Sequence, residues 1–121
     1  MQNALFDRRR QRSQDRDRAL ALSLDAARTN ASIEALVLAD ERGSVLASSG
    51  DRAVCAELGM TVPMMSAAPF GLRSAGLLRG GQIRMKAVSV GARSLWLAAV
   101  GDDAGVLDLS AHAVQRILSQ S

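Results

Sequence analysis

The sequence predicts an α+β domain: one antiparallel sheet of two hairpins, four to five strands in all, with flanking helices in the order α-ββ-α-ββ-α. Three observations carry this. Residues 32–49 (SIEALVLADERGSVLASS) read as two apolar runs joined by a charged turn. Residues 82–101 (QIRMKAVSVGARSLWLAAVG) repeat that design. Stretches of helical apolar spacing lie before, between and after the two.

The first helix is predicted from Ser13 to Arg28. Leu20, Leu24 and Ala27 recur at i, i+4 and i+7, widened by Leu22 and Ala26. Asp15 and Asp17 suit its start and Arg28 its end, by the helix dipole. Thr29-Asn30 is a natural stop, since Asn tolerates the left-handed cap. Residues 1–12 form a basic polar lead, either frayed helix or disordered, and residues 13–121 a single domain. In the first hairpin, residues 35–39 are continuously apolar, which suits a strand covered on both faces. Residues 40–43 make the turn, with Gly43 free to adopt positive φ.

Asp51 is placed to cap a second helix beginning RAVCAEL, with Val54 and Leu58 four apart and facing the sheet. Gly59 and Pro63 are expected to disturb it. From Thr61 to Leu78 no clean period survives, and two readings stand. One is a kinked helix over the sheet. The other is a methionine-lined partner or ligand groove, since Met60, Met64 and Met65 with Phe70 are adaptable packing material. In the second hairpin Ile83, Met85 and Ala87 alternate with Arg84, Lys86 and Val88, as on a half-exposed strand, while residues 95–100 are nearly all apolar and more central. Arg84 and Lys86 read as edge protection. Leu107, Ala111, Val114 and Leu118 then predict a last helix, capped by Asp102 or Asp103.

Composition bounds the function. The 121 residues suffice for one core. That core is built of Ala, Leu and Val, because Trp96, Phe6 and Phe70 are the only aromatics; small aliphatics mildly favour an oligomer. One cysteine, Cys55, excludes an internal disulfide framework and fits a reducing compartment. No signal-peptide pattern or membrane-length apolar run is present, so the expected location is the cytoplasm and no membrane partner is expected. The net charge of +3 is concentrated in residues 1–18, where six arginines face three aspartates. The remainder is balanced, so any nucleic-acid contact falls to the N-terminal segment alone.

Chemistry is conspicuous by its lack. His112 and Cys55 are single, no zinc-ligand spacing occurs, and no Ser–His–acid set is credible. Neither Gly80-Gly81 nor Gly101-Asp102-Asp103 gives a phosphate-binding loop. Asp102, Asp103 and Asp108 are better explained by helix capping than by a cation. The sequence reads as a non-enzyme without a cofactor or metal.

Residues 35–51 (ALVLADERGSVLASSGD) and 83–107 (IRMKAVSVGARSLWLAAVGDDAGVL), with the element order, resemble the Roadblock family of dynein-light-chain-like, profilin-like α/β domains. Two departures accompany the likeness. Gly59, Pro63, Pro69 and Gly71 interrupt the stretch where relatives carry a long helix, and only residues 105–107 remain as a trace of a fifth strand before the last helix. The resemblance implies a non-catalytic homodimer, joined through central helices and sheet edges, that regulates or scaffolds a small Ras-like GTPase or another protein partner. The interface expected on that basis takes in Val54, Leu58, Met64, Met65, Arg84 and Lys86, with Arg8, Arg9, Arg10 and Arg12 as a docking tail. Two other readings remain: a GAF-like small-molecule sensor, and non-specific binding of nucleic acid or an acidic partner through the arginine-rich N-terminus. No sequence-specific nucleic-acid partner is expected.

Overall fold

The computed structural model describes residues 4–31, 33–67, 77–78, 81–101 and 104–119, with side chains for 14–31, 33–64, 83–101 and 105–119. The chain forms α1 (Ala4–Thr29), β1 (Ile33–Asp40), β2 (Val45–Gly50), α2 (Arg52–Ala67), β3 (Leu77–Leu78), β4 (Gly81–Val90), β5 (Arg93–Gly101) and α3 (Ala104–Ser119). The strands make one antiparallel sheet in the order β2-β1-β5-β4-β3. Both hairpins form, and the apolar strands β1 and β5 lie inside the sheet as their composition requires.

Alternation divides the central strands between two cores. Leu36 and Leu38 of β1, with Leu95, Leu97 and Ala99 of β5, meet Leu20 and Leu24 of α1 and Leu107, Ala111 and Val114 of α3. The opposite face shows Ala35, Val37, Ala39, Ala98 and Val100 to Val54, Cys55, Leu58 and Val62 of α2. A strand covered on both faces has no polar side to present, which is why residues 35–39 are all apolar and all buried.

Local chemistry sets the element ends. Asp40 Oδ1 accepts from the amides of Arg42 (2.9 Å) and Ser44 (3.0 Å), and Gly43 turns the chain at φ +88°. Asp51 Oδ1 accepts from the amides of Ala53 (2.9 Å) and Val54 (3.1 Å), capping α2 as expected. The second hairpin is tight, because Val90 pairs with Arg93 and leaves only Gly91-Ala92 as the loop. A polar clasp fastens α1 to the edge strand β2: the Ser49 hydroxyl donates to Asp25 Oδ1 and accepts from Arg28 Nε (2.7 Å).

Two expectations are corrected. Gly59 and Pro63 do not interrupt the second helix, since α2 runs through both to Ala67. They serve contact with the first hairpin instead. A Cβ on Gly59 would fall 2.8 Å from Val45 Cγ2, and one on Gly43 would fall 3.0 Å from the Gly59 carbonyl and 3.1 Å from Pro63 Cγ. Packing of the helix onto the turn offsets the hydrogen bond that proline removes. The fifth strand, moreover, is β3 before the second hairpin, while residues 105–107 belong to α3. The proposed caps Asp102 and Asp103, and Pro69, Phe70 and Gly71, lie outside the described residues.

Residues 4–12, read as a frayed or disordered lead, are helical here and continuous with α1. Among the described residues, no helix is long and apolar enough to cross a membrane.

Candidate interaction surface

Among the described residues, the α2 side of the sheet is only partly roofed. Helix α2 rests on β1, β2 and β5, and at β4 the floor is left to half-buried Met85 and exposed Ala87, beside half-buried Trp96 of β5. Gly59 and Pro63 turn one flank of α2 toward the first hairpin. By the 3.6-residue period, Glu57, Thr61 and Met64 therefore lie on the other flank, toward β5 and β4. Met64 is 69 % exposed and Met60, on the outer face, 75 %. The result is an apolar shelf of flexible methionines and one indole, with the Trp96 Nε1–H buried and lacking an acceptor among the described residues. A donor left so is costly by about 1–3 kcal/mol.

The sheet edge adds a second feature. Among the described residues, the strand pairing on the outer side of β4 is with β3, through Gly81 and Gln82. A sheet edge is a template for another strand.

The interface residues expected from the sequence are placed as follows. Val54 and Leu58 are wholly buried against the sheet, so they support α2 from beneath and offer a partner no surface. Met64 is on the exposed flank. Met65 lies in α2, with its side chain outside the described residues. Arg84 and Lys86 do not simply guard the edge: Arg84 is half-buried, and Lys86 forms an ion pair with Asp108 of α3. The Lys86 hydrogen bond and charge hold the Asp108 carboxyl below its ordinary range. That tie is intact at neutral pH and is lost as pH falls through the lowered value. Arg8, Arg9, Arg10 and Arg12 are in the first turns of α1. Trp96 and Met85 were passed over in the sequence, although a lone tryptophan on a strand was the available signal.

Among the described residues no group of three His, Cys, Asp or Glu could hold a metal. Burial pushes the Cys55 thiol above its ordinary range, and the thiol donates to the Ser49 carbonyl (3.4 Å). Thiol reagents should therefore react slowly with the native protein and at the free-cysteine rate in urea; fast labelling of the folded chain would contradict this placement. An open hollow of about 460 Å³ between α1 and α3 is lined by Ala26, Ala27, Asn30, Gly105, Val106 and Leu109, without a titratable group.

No protein-family model matches the chain, and no curated protein does. Solved structures do. Myxococcus xanthus MglB superposes with a TM-score of 0.55 at 16 % identity, covering 86 % of this chain and 87 % of its own. A structure described as MglB with tetrameric arrangement gives 0.58 at 14 % identity, covering 87 % and 91 %. Two hairpins in one antiparallel sheet, with α2 on one face and α1 and α3 on the other, thus form a Roadblock-like fold.

Proposed function

We propose that this chain is a non-catalytic, self-associating interaction module of Roadblock type that regulates or scaffolds a small Ras-like GTPase. The observation that carries the reading is the apolar shelf of Met64, Met85 and Trp96 on the β4 side of the sheet. A second copy meeting β4 edge to edge would continue the sheet, cover Met85 and Ala87, and bring Met64 beside the partner's α2. The likeness to MglB structures, one of them described with a tetrameric arrangement, supports assembly; the GTPase partner is what the Roadblock resemblance implies.

Light scattering on a sizing column tests it. The expected result is a dimer or higher multiple whose mass is unchanged by salt, because the joint is apolar. Met85→Asp should return the monomer with its circular dichroism intact. A wild-type monomer at micromolar concentration would overturn the assembly, and failure to retain any small GTPase from a panel would overturn the partner.

A further inference from the structure

The first half of α1 takes no part in that surface. The helix is continuous from Ala4 to Thr29, yet its first buried residue among the described side chains is Leu20. Gln14, Asp15, Asp17 and Arg18 are exposed. Residues 4–18 account for about 22 Å of helix at 1.5 Å per residue. Between Asp7 and Arg18 no apolar residue occurs, so this stretch has no hydrophobic face to bury.

Its charges are ordered by the helix. Arg8, Arg12 and Arg16 follow at i, i+4 and i+8, and Arg9 falls beside them, so four arginines share a sector of about 100°. Asp7 and Asp17 fall on other faces, with Asp15 at the sector's border. Like charges four apart destabilise an isolated helix by a few tenths of a kcal/mol per pair. An anionic partner relieves that repulsion. The ridge steps about 6 Å along the axis, close to two nucleotide rises of about 3.4 Å on one strand.

We propose that residues 7–18 form a docking arm for the phosphate backbone of nucleic acid, bound without sequence preference. The choice among anionic partners rests on what the arm lacks. A protein interface needs an apolar centre with buried anchors, and insertion at a membrane surface needs an apolar face; this stretch offers neither. Phosphates need only charge and donors, and the arginine fork suits them. The absence of interleaved aromatics removes base stacking as a source of preference. The inference stands apart from the dimer and GTPase reading, since it uses none of the same residues.

Fluorescence anisotropy of the full chain with two short labelled duplexes of unrelated sequence tests it. Four arginines on four phosphates predict a log–log salt slope of about −3.6, or about 100-fold loss between 50 and 200 mM salt, equal for both duplexes. Arg8→Gln/Arg12→Gln/Arg16→Gln keeps helix propensity and should reduce the slope to about −1. Arg42→Gln/Arg93→Gln, in the first hairpin turn and at the start of β5, should leave it unchanged. No binding at about 50 mM salt, an unaltered slope in the triple variant, a strong preference between duplexes, or retention of polyglutamate but not DNA would each overturn the assignment.

Discussion

Gly50→Ala should destabilise the domain by about 3–4 kcal/mol, a large part of the roughly 5–15 kcal/mol that holds a domain of this size together. Gly50 ends β2 at φ +118°, a conformation that L side chains rarely adopt. A Cβ there would lie 2.6 Å from the Glu34 carbonyl oxygen and 3.0 Å from Ala35 Cα. Both obstacles are backbone atoms of β1, the strand that pairs with Gly50 through Ala35, so neither can swing aside as a side chain would. Gly91→Ala is the control. Its φ of +60° is also left-handed, but nothing lies within 4 Å of the added carbon, so the cost should be about 1 kcal/mol. Urea midpoints measure both. Equal losses at the two positions would mean that the β1–β2 pairing relaxes around the methyl group.

Leu58→Ala comes next in size, and it separates two roles that the sequence left together. Leu58 is fully buried among Val54, Val62 and the sheet residues on the α2 face. Truncation leaves a cavity as well as lost transfer energy, so the expected cost is about 3–4 kcal/mol. Because the side chain is interior to one protomer, the loss should appear even at dilutions where any assembly has dissociated. A residue at a joint between copies would behave otherwise: stability of the dilute monomer would hold, and only the mass would fall. Met64→Ala, at an exposed site, should show that second pattern.

Much of the architecture was readable because its signals were local. Continuous apolarity in 35–39 and capping at Asp51 each depend on near neighbours, and each appears where predicted. The alternation in 83–88 marks a strand, but Ala87 is exposed and Val88 buried, because α3 covers the second face. The misreadings share a different cause. Gly59 and Pro63 are helix breakers by propensity, but here a hairpin presses against them, and only the fold shows that Val45 stands where a Cβ would be. Val54 and Leu58 were correctly turned toward the sheet by their spacing, yet that same burial removes them from any contact surface. Lys86 looks like an edge guard in one dimension; Asp108, twenty-two residues later, gives it a partner. The exposed shelf was hardest to see, because Met64, Met85 and Trp96 come from three elements whose approach no spacing rule encodes.

The uneven placing of charge has a colloidal consequence. The sequence isoelectric point is about 10.4 and the net charge +3. With six arginines and three aspartates in residues 1–18, the rest of the chain sums to zero at neutral pH. A particle without net charge has little to keep its copies apart once an apolar patch is exposed. The helical extension that leads into the sheet therefore supplies the repulsion between copies, and a chain cut before Leu20 would meet its own solubility minimum near the pH of the cell.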